Sequence, residues 1–299
     1  MKYKIISLVT LTFFLFSCKD TKNENDASGT FEATEVIVSA EASGQILALN
    51  INEGDLLKED QQVGTIDSTQ LHLNKTQLSQ NKKAILSGRP DVSVQIASLQ
   101  EELKNAISDK KRIANLVAGD VASKKQLDDA NTRITVLQSK IDAQKSMLNT
   151  TTLSLNEQGS TVNAQMAQIN DQLKKCNIIN PINGTVLVKY SNAFEMTMVG
   201  RPLYKIADVK NMILRGYITS SQLSQIKLNQ KVKVFVDFGK EEKKEYSGTI
   251  SWISDKSEFT PKTIQTKDER ANSVYAVKIA VPNDGYLKIG MYGEIKIAQ

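Results

Sequence analysis

Histidine, cysteine and tryptophan are nearly missing: the 299 residues include one histidine (His72), two cysteines (Cys18 and Cys176) and one tryptophan (Trp252). That excludes a His- or Cys-rich metal site and leaves catalysis by a histidine base unsupported. Aromatics are only 6% of the chain, thin for one compact core and better suited to elongated parts. No glycine-rich loop precedes a helix, so nothing cradles a phosphate. The charge is +5, from 38 basic and 33 acidic residues; the two signs interleave, and no nucleic-acid stripe stands out. What is present is 40% apolar and 24% charged residues, ordinary for a folded chain of two or three domains. The composition suits a scaffold rather than an enzyme, with no cofactor or metal expected.

Residues 1–17 read as a secretory signal: Lys2 and Lys4, an apolar run from Ile5 to Phe16, then Ser17. The run is too short for a membrane span. Leu15-Phe16-Ser17-Cys18 resembles a bacterial lipobox, which would make Cys18 a lipidated first residue of the mature chain. Residues 18–29 are polar without an apolar period and are expected to form a flexible tether.

Residues 68–175 predict a long antiparallel helical hairpin. Positions 92, 96, 99, 103, 106, 113 and 117 form a seven-residue apolar seam with Lys110 as its polar break, a coiled-coil pattern. The second arm repeats it at 127, 130, 134, 137, 141, 148 and 155, with Gln144 and Thr151 as breaks. The tip is placed at about 117–123, where Gly119 supplies a turn and Ser123 a cap. Ser87-Gly88-Arg89-Pro90 and Gln158-Gly159 fall at matching heights and predict a joint in both arms. Many seam positions are Ala, Thr, Gln or Lys, so the rod is expected to pack against other copies.

A split β domain flanks the hairpin, with halves at 30–67 and 176–208. Ser43-Gly44-Gln45-Ile46 is echoed 140 residues later by Asn183-Gly184-Thr185-Val186, a quasi-repeat of half-motifs that cannot bury their faces alone. Gly44, Gly54 and Gly184 are the expected turn glycines. Asn192-Ala193-Phe194-Glu195 answers Asn52-Glu53-Gly54-Asp55 without the glycine, which predicts a reshaped second turn. The pattern resembles the biotinyl/lipoyl carrier fold, but helices stand where the carrier lysine would be. Residues 209–299 hold alternating runs at 212–218, 231–238, 246–253, 274–281 and 293–298, plus a short helix at 220–227. These predict a small β-barrel.

This order resembles the periplasmic adaptors (membrane fusion proteins) of the HlyD-like family, over about residues 30–299. Cys176-Asn177-Ile178-Ile179-Asn180-Pro181-Ile182-Asn183-Gly184-Thr185-Val186 is similar to the family's I-x-A/S-P-x-D/N-G-x-V strand and turn. Leu287-Lys288-Ile289-Gly290-Met291 is similar to L-K-P-G-M, with Ile289 in place of proline. Phe259 to Arg270 resembles adaptors paired with ABC-type transporters. The implied fold is α+β and elongated: a split lipoyl-like barrel-sandwich hybrid, a coiled-coil hairpin and a β-barrel. The implied function is to link an inner-membrane transporter, ABC-type favoured over proton-driven, to a TolC-like outer-membrane channel for efflux or secretion. A ring, commonly a hexamer, and a lipid anchor in the inner membrane go with it. Arg112, Leu116 and Ser123 match the family's Arg-x3-Leu-x6-Ser spacing for channel docking at the tip. Arg112 and Leu116 also share a helix face off the seam.

Two other functions stay open on the residues. One is an envelope lipoprotein whose coiled coil serves scaffolding or adhesion, with Lys19-Asp20 as a sorting signal; the other is a carrier-enzyme subunit, disfavoured without a carrier lysine. Elsewhere plain roles are expected: His72 at the surface or seam, Cys176 a buried thiol, Trp252 in the core or a subunit contact, and 240–245 a solvated charged turn.

Overall fold

The computed structural model describes residues 26–239, 242–258 and 274–297. The signal segment, Cys18 and the Phe259–Arg270 stretch lie outside the described residues. Two long strands form the spine. Strand β1 (Ala27–Ser39) and strand β8 (Pro202–Thr219) pair antiparallel from Ser28↔Tyr217 to Ser39↔Pro202. Both pass from one β domain into the other. Residues 27–29, expected in the tether, belong to β1, and the boundary expected at 208/209 falls inside β8.

At one end of the spine β1, β12 (Tyr292–Ile297), β9 (Lys231–Phe238), β10 (Glu242–Glu258), β11 (Val274–Pro282) and β8 pair in that order, and the β1–β8 pairing closes a six-stranded barrel. Alternation selects its core: Val232, Val234 and Val236 of β9 point inward with Phe31, Leu214, Ile250, Ile279 and Ile295. The expected charged turn is shorter than its sequence suggests, since Lys243 and Lys244 already pair with β9 as strand residues. Trp252 is 40% exposed on the outer wall beneath Lys278, whose Nζ lies 5.5 Å from the ring centre. It is not a core residue of the barrel.

At the other end two four-stranded sheets make the sandwich. One is β5 (Asn177–Ile179), β4 (Gln62–Ile66), β2 (Gly44–Leu49) and β7 (Met196–Thr197); the other joins β3 (Leu56–Leu57) and β6 (Gly184–Lys189) to β8 and β1. Each half of the sequence repeat lends a strand to the other. Leu56↔Thr185 and Leu57↔Gly184 in one sheet match Met196↔Gln45 and Thr197↔Gly44 in the other, so the repeat of 140 holds residue for residue. Gly54 has φ 93 and Phe194, its equivalent, has φ 71. The second turn therefore is not reshaped: a phenylalanine takes the left-handed conformation that glycine takes in the first. At Gly184 the reason for glycine is space, since a Cβ would lie 2.5 Å from the Ala207 carbonyl oxygen.

Asn180 fastens the halves together. It is fully buried; its side-chain amide donates to the carbonyls of Lys58 (2.7 Å) and Ile182 (2.5 Å) and accepts from the Tyr204 hydroxyl (3.1 Å). Its backbone exchanges hydrogen bonds with Asp60 and Gln61. Burial pushes the Tyr204 phenol up to about 12, consistent with a hydroxyl that serves only as a donor.

The hairpin leaves the sandwich between β4 and β5 as helices α1 (Thr69–Ser87), α2 (Val92–Ala118) and α3 (Lys124–Lys175). Asp91 caps α2 through its carboxylate. In α2 the positions 92, 96, 99, 103, 106, 110, 113 and 117 are all buried or half-buried, Lys110 included, whose stem can line the seam. In α3 the seam runs to Leu148 and then steps four residues to Thr152, leaving Thr151 exposed. Two successive steps of four are a stutter, which locally unwinds the supercoil. It lies close to where α3 exchanges its partner α2 for α1. The expected two-sided joint is one-sided: α1 and α2 are separate, but α3 runs 52 residues without a break. Gly159 lies within it, buried against Leu86, whose Cδ2 would be 2.9 Å from a Cβ. Its absent side chain lets the two helices approach.

Candidate functional site

The tip of the hairpin is a tight turn. Helix α2 ends at Ala118, and the left-handed residue is Asp120 (φ 57) rather than Gly119 (φ −92). Aspartate tolerates this conformation better than most residues. The Leu116 carbonyl accepts from the N–H groups of Val121 (2.8 Å) and Ala122 (3.3 Å). Ser123 then caps α3: its hydroxyl accepts from Gln126 N–H (3.3 Å), and the Gln126 side chain accepts from Ser123 N–H (3.0 Å), a reciprocal box. Polar backbone groups are thus satisfied inside the turn, and side chains are free to face outward.

Leu116 is 42% and Val121 75% exposed, two aliphatic groups on the outermost turn with no partner helix to cover them. Arg112 lies one turn below Leu116, paired with Asp109 at 3.3 Å. Both members of that pair are exposed, so the bridge contributes little and the guanidinium stays available. Arg112 and Ile113 also face Gln126 and Arg133 across a shallow groove of about 280 Å³. The structure therefore brings Arg112 and Leu116 together, while Ser123 has a local task as a cap. Val121 joins them without a motif of its own: its one signal in the sequence is a valine within Gly-Asp-Val-Ala-Ser.

The opposite pole is the far end of the barrel. The chain enters there at Asp26, which donates to the Ile295 carbonyl and accepts from Ile297 N–H. Glu258 and Val274, which bracket residues 259–273, pair with each other beside Thr219 at the same end. At 1.5 Å per helical residue α3 alone spans about 78 Å. The N-terminal entry and the tip are thus separated by the barrel, the sandwich and the whole rod. Gly44, Gly54 and Gly184 lie in the sandwich and Cys176 is a buried free thiol at its junction with α3, raised first by burial and then by the Asp67 charge. His72 is exposed on α1.

A barrel-sandwich hybrid carrying a coiled-coil hairpin defines a class. Residues 34–192 match the family model of the RND membrane fusion protein barrel-sandwich hybrid domain, and the chain belongs to that family. It is a membrane fusion protein, a non-enzymatic periplasmic adaptor of the cell envelope. Among the described residues no helix is long and apolar enough to cross a membrane.

Similar curated proteins include the UPF0194 membrane protein YbhG of Salmonella arizonae and of Salmonella gallinarum. Each is 25% identical over 292 residues, covering 90% of this chain and 87% of the relative. Similar solved structures include MacA from Actinobacillus actinomycetemcomitans (TM-score 0.52, 21% identity, 91% of this chain and 78% of that one). Another is the membrane fusion protein Spr0693 from Streptococcus pneumoniae R6 (TM-score 0.51, 19% identity, 91% and 97%). At these identities the likeness is one of fold.

Proposed function

We propose that this adaptor links an inner-membrane transporter of ABC type to a TolC-like outer-membrane channel, docking on the channel through Arg112, Leu116 and Ser123 with Val121 beside them. The exposed aliphatic pair Leu116 and Val121 on the outermost turn carries this reading. Apolar side chains held outward on a hydrogen-bonded turn fit a protein partner better than water. Cys18 would hold the other pole to the inner membrane by its acyl chains, in line with chain entry at the far end of the barrel. The ABC assignment rests on the resemblance of Phe259–Arg270. Side-by-side copies would close into a ring, a hexamer in this reading, because a heterologous contact needs closure.

Leu116→Asp and Val121→Asp should abolish export while the purified proteins melt like wild type, since neither side chain is in a core. Ser123→Arg should also abolish export, with a further loss of about 1 kcal/mol at the tip from the missing cap. Wild-type export by both aspartate variants would refute the docking role.

A further inference from the structure

Two cavities meet where the sandwich joins the barrel. Their volumes are about 520 and 400 Å³, and Thr185, Val209 and Lys210 stand in the walls of both. Sites for small molecules commonly measure about 300–1,000 Å³. Strands β3 and β6 supply the sandwich side, and the loop between β11 and β12 the barrel side. Between them β8 carries an irregularity: Glu32 pairs with Ile213 but Thr34 with Asp208, so Val209–Met212 bulge against a single residue of β1.

The apolar lining is aliphatic. Leu56 is 61% and Ile289 40% exposed, Leu187 and Val209 are half-buried, and no aromatic ring lines either cavity. A base or an aromatic drug would find nothing to stack on; an alkyl chain would find four branched side chains.

The charges lean positive, with Lys58, Lys210 and Lys288 against Asp208 and Asp284. Asp208 accepts from the N–H groups of Lys210 (3.1 Å) and Asn211 (3.3 Å) and from the Asn211 amide (2.9 Å). Asp284 is ion-paired with Lys244 and accepts from the Tyr246 hydroxyl (2.9 Å) and Tyr286 N–H (3.1 Å). Asp284 is therefore neutralised within the fold, whereas Asp208 is bonded only to neutral N–H groups, which orient it without offsetting its charge. Lys288 bonds the Gly285 carbonyl at 2.9 Å. Lys58 and Lys210 are exposed and have no ion-pair partner among the described residues.

We propose that this junction binds a single-chain amphipathic anion of the fatty-acid or alkyl-sulfate class, its chain against Leu56, Leu187, Val209 and Ile289 and its head on Lys210 and Lys58. Such a ligand touches both domains at the bulge in their shared ribbon, so occupancy would stiffen the joint between barrel and sandwich. The site is independent of what docks at the hairpin tip.

Calorimetric titration of the mature chain with dodecanoate, below its micelle concentration, tests this. One saturable site is expected, weakened about tenfold or more by Lys210→Glu and by Leu56→Asn, and unaffected by Lys124→Glu at the distant tip. Dodecyltrimethylammonium should bind at least about tenfold more weakly. Thermal melts matching wild type will show that the exposed substitutions leave the fold intact. Absence of saturable binding, equal affinity in Lys210→Glu, or equal affinity for the cationic amphiphile would overturn the site. Lys210-dependent binding to phosphatidylglycerol vesicles without binding of monomeric dodecanoate would also overturn it, marking a membrane-facing patch instead.

Discussion

Replacing Asn180 with leucine keeps the volume but removes the clasp between the two halves of the sandwich. Lys58 O would still accept from Gln61 N–H at 3.3 Å. The Ile182 carbonyl and the Tyr204 hydroxyl would be left without their partner, and Tyr204 is fully buried. The orphaned buried Tyr204 hydroxyl costs about 1–3 kcal/mol, and each of the two amide bonds lost to Lys58 and Ile182 about 1 kcal/mol, so the loss should be about 4 kcal/mol. At 1.4 kcal/mol per decade that is roughly a thousandfold fall in amide exchange protection across β4 and β5. Hydrogen exchange by mass spectrometry measures it, with the barrel strands as an internal control. Adding Tyr204→Phe removes one orphan and should recover about 1–3 kcal/mol in the double variant, although the same change alone destabilises. A loss below 1 kcal/mol for Asn180→Leu, or a double variant that recovers nothing, would refute the clasp.

Three other outcomes follow from particular residues. Phe194→Asn should stabilise the sandwich by up to about 1 kcal/mol in thermal melts, because asparagine accepts the left-handed φ of 71 and the phenylalanine is 75% exposed; a lower melting temperature would contradict this. Gly159→Ile should destabilise the lower hairpin by about 1–3 kcal/mol through overpacking on Leu86, seen as an earlier loss of helical circular dichroism, and an unchanged melt would show that Leu86 yields freely. Asp284 is held at about 2, below its ordinary 3.8, by the Lys244 ammonium first and then by Tyr286 N–H and the Tyr246 hydroxyl. Its folded value is depressed, so its stabilising effect is complete above about pH 4 and lost as pH falls towards 2. In Asp284→Asn the barrel should show less of this acid-dependent loss, and an identical pH profile would exclude the contribution.

Much of the fold was legible in the sequence because its signals are local and periodic. Strand β9 coincides with the alternating run at 231–238. The seam of α2 follows the seven-residue pattern position by position, and the repeat of 140 residues proved to be an exchange of strands. Most of the departures are long-range. The sequence predicts a domain boundary at 208/209, but pairing with β1 on one side and with β6 and β11 on the other keeps β8 a single strand through it. Gly159 read as a break because the close approach of Leu86 cannot be seen from its neighbours. Phe194 read as a reshaped turn because propensity disfavours what the surrounding sheet imposes. At the tip, Arg112 and Leu116 stand out by likeness to the family's Arg-x3-Leu-x6-Ser spacing, whereas the exposure of Val121 depends on the hydrogen bonds that close the turn. The cavity at the domain junction draws its walls from four distant segments and has no linear motif.

Site-specific photo-crosslinking in living cells tests the adaptor role most directly. A photoreactive residue at 116 or 121 should capture an outer-membrane channel protein, whereas the same residue at 153, exposed on α3 far below the tip, should not. Channel capture from 153 but not from the tip, or tip adducts formed only with extracellular components, would contradict an adaptor that docks through its hairpin.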